Sequence, residues 1–333
     1  MKKALIIIVF FCICCTLATA SGKAESAPSQ ERLVLRYADN QPADYPTTLA
    51  AKRLAELVEQ RTNGRIRIEV FCDGVLGDER SIIEQLQFGG MDMARVSLSP
   101  LAEFIPKLNI LQLPYLYRDS EHLWKVLDGE IGDSFLEAAE SKGLKGLAWF
   151  DAGARSFYTS EKPITRLEDM KGMTIRVQES QLMVDMIAAL GATATQTSYA
   201  DVYSNLLTGA IDGAENNWPS YEATKHYEVA KYFTLDEHNR IPEMQIISKI
   251  VWDKLSPEDQ QTLKQAALES AIYERELWAQ KEKAAEQKMM DSGTIVIHLS
   301  EAEKTRFQNA MSAIYKKYGQ SSEALIEKIV SLK

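Results

Sequence analysis

Arg176 stands near the end of KGMTIRV, residues 171–177, where Met173, Ile175 and Val177 alternate with Thr174 and Arg176. That period is the signature of a half-buried strand, bounded here by Gly172 and by the polar Gln178, Glu179 and Ser180. An arginine in such a place can reach into a cleft. Its guanidinium keeps its charge near neutral pH, and its planar fork of donors matches a carboxylate in two parallel bonds. The plainer alternative is a surface strand arginine paired with a nearby acid.

Other polar residues collect at the ends of apolar segments, where α/β sheets place their ligands. Asp39 and Asn40 follow the first such segment, and Arg95 and Ser97 close another. Arg155 comes soon after a third, and Glu215, Asn216 and Asn217 follow a fourth. Three arginines among acids and amides suit an anion that also carries hydroxyls. Carboxyl groups on Glu79 or Glu215 would accept hydrogen bonds from sugar hydroxyls. Trp218 reads equally as a stacking face for a ring and as a core aromatic beside Pro219. Enzyme signatures are scarce: there is no GxGxxG, P-loop, HExxH, CxxC or GxSxG. His122, His226, His238 and His298 lack metal-ligand spacing, so neither a metal nor a cofactor is expected. The one enzymatic alternative pairs Glu79 with Glu215 as glycosidase-like carboxylates on a carbohydrate acid.

The elements that would position these groups can be read along the chain. Its 333 residues, 45% hydrophobic and 26% charged, suffice for two domains with separate cores. The formal net charge of −9 carries no basic footprint for nucleic acid. Lys2 and Lys3, an apolar run over residues 4–17 and Ala18-Thr19-Ala20 read as a cleavable signal peptide, residues 1–20. Its removal takes away two lysines and leaves −11. Cys12, Cys14 and Cys15 leave with it, so Cys72 remains alone, read as a small buried hydrophobe.

From residue 33 to 98 the pattern runs strand, helix, strand, helix, strand, the rhythm of an α/β domain. Residues 99–114, with Pro100, Pro106 and Pro114, read as irregular; helices over 122–127 and 133–142 and a strand over 146–150 follow. A domain crossing is placed at Asp151-Ala152-Gly153. Strands at 157–159 and 173–177, helices at 182–190 and 200–207, and a loop at 215–219 come next. A helix running from after Trp218 through His226 to about Lys231, and strands at 232–235 and 245–251, precede the longest helix. Ser256 caps that helix, Pro257 takes its first position, and it runs to about Asp291, some 50 Å at the standard rise. Such a helix could brace two halves. The motifs LQFGGMD (86–92) and LLTGAID (206–212) echo one another, as do GRIRIEV (64–70) and GMTIRV (172–177). Two similar α/β halves facing each other would produce this.

Several spaced motifs resemble the DctP-type substrate-binding proteins of TRAP transporters: LGDERSIIEQL (76–86), GMD (90–92), LPYLY (113–117), GARSFYTSEKPI (153–164), LEDMKGMTIRV (167–177) and GAIDGAEN (209–216). The resemblance covers nearly the whole chain after the signal. It implies a periplasmic binding protein-like α/β fold, two lobes around a cleft braced by a long helix. Lobe I would span residues 31–152 with about 244–280, and lobe II 153–243 with about 285–333. The family's carboxylate-binding arginine falls on Arg176, a second cleft arginine on Arg155 and the cleft asparagine on Asn216. Asn40 and Glu79 match other contact positions, and Arg95 lies where contacts vary. ENNWPSY (215–221) and HYEVAKY (226–232) resemble the branch associated with hexuronates. The implied function is periplasmic capture of an organic anion and its delivery to the small and large membrane subunits of a permease. A C4-dicarboxylate ligand, or a sensory role with the same site, are the alternatives.

Overall fold

The structure is a computed structural model that describes residues 32–333. The signal segment read at residues 1–20, with its three cysteines, lies outside them.

The first half alternates as expected: β1 (Leu33–Ala38), α1 (Pro46–Arg61), β2 (Ile66–Phe71), α2 (Glu79–Phe88) and β3 (Met93–Ser97). Parallel strands need a crossover, and α1 and α2 supply it. α1 buries Ala50, Leu54, Leu57 and Val58 on one face and ends where Asn63 and Gly64 take positive φ. Then come α3 (Leu98–Phe104), α4 (Ser120–Leu127), α5 (Glu130–Ala138) and β4 (Leu144–Phe150). The stretch read as irregular contains α3 and a 3-10 segment, Pro106–Gln112. Pro100 falls in the first turn of α3 and Pro106 opens the 3-10 segment, positions where a missing N–H costs no helical bond.

The second half begins with β5 (Arg155–Thr159), β6 (Thr174–Val177), α6 (Gln181–Ala189), β7 (Thr193–Gln196), α7 (Val202–Thr208) and β8 (Gly213–Asn216). α8 (Trp218–Ala223), β9 (Tyr232–Asn239), β10 (Glu243–Ser248) and α9 (Lys249–Trp252) follow. The chain closes with α10 (Pro257–Asp291), β11 (Ile295–His298), α11 (Glu301–Ala310), α12 (Ser312–Ile314) and α13 (Glu323–Ser331).

Two sheets result, ordered β2-β1-β3-β10-β4 and β7-β6-β8-β5-β9-β11. In each, three parallel strands are followed by one antiparallel strand, β10 or β5, and then by one that runs with the first three, β4 or β9; β11 extends the second sheet parallel to β9. The halves therefore share one topology, with β3 matching β8 as the LQFGGMD and LLTGAID motifs suggested. The other echo is displaced by one strand: β6 matches β1, not β2. Periodicity cannot tell two alternating strands apart; only the pairing order does. The chain crosses from β4 to β5 and returns from β9 to β10, so the antiparallel strand of each sheet directly follows a crossing.

Some expectations shift. Glu215 and Asn216 belong to β8 rather than a loop, and Asn217 caps α8 by accepting from Ser220 N at 2.7 Å. The helix expected from after Trp218 to about 231 is shorter: α8 ends at Ala223, and residues 226–228 form one 3-10 turn. Cys72 is half-buried just past β2, its thiol donating to Asp73 at 3.0 Å, because β2 is an edge strand.

α10 spans 35 residues with Ser256 as its cap, as read from the sequence. Leu263, Ala267 and Ala271 join the core with Leu54 and Val58 of α1 and Tyr37 of β1. Farther along, Ala285 and Met289 join an aromatic cluster of Tyr158, Trp218, Tyr221 and Phe233 under the second sheet. One continuous helix thus packs against both sheets. Gly153, at φ 58° in the crossing strand, lies so close to Glu282 and Trp278 of α10 that a Cβ would collide with them. The C-terminal segment, expected with lobe II, touches both lobes. Arg118 donates to Val330 O at 3.0 Å, while Lys317 reaches Asp185 on α6 at 2.5 Å.

Candidate functional site: an arginine-lined cleft

A cavity of about 270 Å³ opens between the sheets, near the lower end of the roughly 300–1,000 Å³ usual for small-ligand pockets. Asn40 and Asp73 reach it from the carboxyl ends of β1 and β2, and Gln178, Thr197 and Asn216 from those of β6, β7 and β8. Arg155 and Glu243 reach it as the first residues of the antiparallel strands β5 and β10. An antiparallel strand begins where its parallel neighbours end, so both ladder types deliver side chains to one place.

Six of the eight residues singled out from the sequence line the cavity: Asn40, Glu79, Arg95, Arg155, Arg176 and Asn216. Glu215 and Trp218 do not. Trp218 stacks on Phe233 with centroids 3.7 Å apart, in the core, so it offers no face to a ligand in the cleft. Glu215 is fully buried behind Arg155. It therefore neither accepts a sugar hydroxyl in the cleft nor pairs with Glu79 across a glycosidic bond.

The three arginines are all buried, at 2–4% exposure, yet their surroundings differ. Arg95 meets Asp39, Asn40, Glu79 at 3.1 Å and Glu243 at 3.2 Å. Arg155 bonds both carboxylate oxygens of Glu215, the Glu215 carbonyl at 2.8 Å and Asn216 Oδ1 at 3.0 Å. Behind Glu215 stands His238, Nε2 at 3.5 Å, with its Nδ1 3.1 Å from Asp236. Arg176 donates through Nε and Nη2 to Thr197 O at 3.0 and 2.6 Å and enters no ion pair among the described residues. Thr197 follows β7, the edge strand that pairs with β6, so strand pairing aims the fork.

Titration follows these surroundings. Burial would raise Glu215, but Arg155 and His238 overcome it and hold the carboxyl down to about 2. Burial would lower His238, but Asp236 and Glu215 push it up to about 9. Glu243 is pushed up to about 8 by burial, which Glu79 and Asp39 reinforce and Arg95 opposes. Burial pulls Arg176 below its ordinary value, with the charge of Glu215 opposing. His226, buried beside Tyr158 and Arg176, is held down to about 3.

These shifts set a stability profile. Glu243 and His238 have raised pKa values, so their contributions are present below pH 4.5 and 6.5 respectively and are lost as pH rises through about 8 and 9. Glu215 and His226 have lowered values, so theirs are present above pH 4.5 and 6.5 and fade as pH falls toward 2 and 3. The melting temperature, followed by circular dichroism from pH 3 to 10, is expected to peak near pH 5–7 and fall on both sides. A melting temperature still rising from pH 7 to 9 would contradict the assignments of Glu243 and His238.

Sequence reading missed Glu243, Gln178 and Tyr199 among the lining residues. Glu243 directly precedes the apolar run MQII, and an acid opening an antiparallel strand was the available signal. The cleft is also spanned: Gln178 donates to Ser97 Oγ at 2.9 Å, Tyr199 to Gln41 Oε1 at 3.2 Å, and Tyr45 and Ser220 hydroxyls meet at 2.9 Å. Two lobes of one topology, crossed by two strands and closed over polar, arginine-bearing walls, define a two-lobed ligand-binding protein.

Comparison with known proteins narrows the class. The family of bacterial extracellular solute-binding proteins, family 7 (DctP), matches residues 37–321. A TRAP periplasmic solute-binding protein from Bradyrhizobium sp. BTAi1, in complex with α/β-D-galacturonate, is 43% identical with a TM-score of 0.87, covering 90% of this chain and 99% of its own. One from Pseudomonas putida F1 with bound D-glucuronate is 39% identical with a TM-score of 0.88, covering 90% and 98%. A solute-binding protein of Chromohalobacter salexigens is 38% identical over 284 residues, 85% of this chain and 84% of that one. The chain belongs to the DctP family of TRAP-type solute-binding proteins.

Proposed function

We propose that this protein is a periplasmic solute-binding subunit that captures a hexuronate, D-glucuronate or D-galacturonate, and delivers it to the membrane subunits of a TRAP permease. The carrying observation is the charge balance of the cleft. Of its three guanidiniums, Arg95 and Arg155 are already matched by buried carboxylates, and Arg176 alone lacks one among the described residues. A buried cation without a counter-charge favours one ligand carboxylate. A C4-dicarboxylate would need a second free cation, and no lysine lines the cavity. The remaining lining groups, Asn40, Gln178, Tyr199, Asn216 and Asn217, can exchange hydrogen bonds with hydroxyls. The relatives with bound galacturonate and glucuronate support the same ligand class. A periplasmic site agrees with the signal segment read from the sequence and with the family.

A thermal-shift screen tests the reading. D-glucuronate or D-galacturonate should raise the melting temperature, because a ligand at 100 times its Kd adds about 2.7 kcal/mol to the folded state. Succinate and malate should leave it unchanged. Shifts with the dicarboxylates and none with hexuronates would overturn the ligand assignment.

A further inference from the structure

Glu243 is an acid at the heart of a cleft proposed to bind an anion, which needs a physical account. It is 8% exposed and opens β10, opposite Ser97 of β3 and within reach of the Arg95 side chain. Its Oε1 accepts from Arg95 Nη1 at 3.2 Å. Its Oε2 is buried and has no hydrogen-bond partner among the described residues, although the side chain lines the cavity. Buried oxygens are rarely left so unless something outside the chain completes them. Three carboxyls, Asp39, Glu79 and Glu243, surround the single charge of Arg95. Three buried negative charges on one guanidinium leave an excess of two, which the low dielectric penalises, so the cluster is stable only with protons retained.

We propose, resting on the hexuronate reading above, that Glu243 is a specificity-determining donor. Its carboxyl keeps a proton on Oε2 and donates it to an oxygen of the captured sugar acid, opposite the Arg176–carboxylate contact. Oε1 is already taken by Arg95, which leaves Oε2 as the protonated oxygen. A neutral donor beside a matched Arg95 offers one bond to a hydroxyl or ring oxygen without drawing a second negative charge into the site. The groups facing Glu243 are consistent with this. Glu79 from α2 and Asp39 after β1 favour its neutral form, while Arg95 from β3 and Arg155 from β5 oppose it. The phenols of Tyr37, Tyr45 and Tyr199, and Glu274 from α10, also lie within its field, and burial pushes the pKa of each of them up.

The test is isothermal titration of D-galacturonate against the wild-type protein and Glu243→Gln from pH 6.5 to 9. Glutamine keeps the shape and a fixed N–H donor but cannot titrate. Wild-type affinity should be level below pH 8 and then weaken toward a limit of about tenfold per pH unit. Whatever its affinity at pH 7, Glu243→Gln should keep that affinity level across the range in which the wild type weakens. His238 titrates nearby in both proteins, so the difference between their profiles reports Glu243 alone. The wild type should also take up protons on binding at pH 8.5, read from the dependence of the binding heat on buffer ionisation, and this needs no variant. Parallel profiles, or no proton uptake, would overturn the role of Glu243 and leave the hexuronate reading standing. A wild-type protein that binds no hexuronate at any pH would remove both.

Discussion

Arg176→Ala is expected to raise the Kd for D-glucuronate or D-galacturonate by at least about 100-fold in isothermal titration. Truncating one partner of a buried, hydrogen-bonded charge pair costs about 2–5 kcal/mol, and most of that is the penalty on the charge left behind. In the variant the ligand carboxylate would lie in the cleft with no free cation, because Arg95 and Arg155 are committed to Asp39, Glu79, Glu243 and Glu215. Arg176→Lys keeps the charge but loses the planar fork and the paired bonds to Thr197 O, so a smaller loss is expected, roughly 10-fold or more. The fold should tolerate either change. Burying an unpaired guanidinium works against folding in the absence of ligand, so alanine removes a desolvation cost along with two hydrogen bonds. The melting temperature without ligand should therefore change by a few degrees at most while binding is lost. Binding of Arg176→Ala within threefold of wild type would end the claim that this guanidinium grips the carboxylate.

How much of this was legible beforehand divides along physical lines. β6, α10 and the strand rhythm of the first half follow from local periodicity and capping, so the sequence carries them directly. Five of the six cleft residues were found by one rule, that ligands gather at the carboxyl ends of strands; Glu79, the first residue of α2, was read separately as a hydroxyl acceptor and a family contact position. Glu243 escaped because it opens an antiparallel strand, whose beginning lies at those same ends only once β10 is known to insert between β3 and β4. β7, TATQ, escaped because an edge strand with largely exposed residues has no apolar alternation to show. Glu215 and Trp218 were found as residues and misplaced as contacts. Residues 215 and 216 are neighbours in β8, so their side chains point to opposite faces: Asn216 enters the cleft and Glu215 turns behind it. Reading that segment as a loop concealed the alternation. Trp218, one residue past the cap of α8, is the first residue of the helix rather than the end of a loop, and the helix carries it into the aromatic core.

The second large effect belongs to that hidden acid. Glu215→Ala is expected to destabilise the protein by about 3–5 kcal/mol in urea denaturation, because it strips the counter-charge from a buried guanidinium. The chain of charges runs Arg155, Glu215, His238, Asp236, alternating in sign and wholly enclosed. Removing its second member leaves two cations facing each other across a void. Glu215→Gln keeps an acceptor for Arg155 and should cost less. The sign of the pH dependence gives an internal control. The carboxyl is held down to about 2, so its contribution is present above pH 4.5 and lost as pH falls through 2. The gap between wild type and Glu215→Ala should therefore narrow as pH drops from 5 toward 2, as the wild-type carboxyl takes up its proton. A double variant, Arg155→Met with Glu215→Met, should recover much of the lost stability, since a buried ion pair can often be replaced by apolar side chains of similar volume. It should not recover binding if the pair exists to fix Arg155 and Asn216 at the cleft wall. Stability of Glu215→Ala within 1 kcal/mol of wild type would show that the buried network is not what holds Arg155. Full hexuronate affinity in the double variant would show that Arg155 serves the fold rather than the ligand, leaving Arg176 as the cleft's only anion-binding arginine.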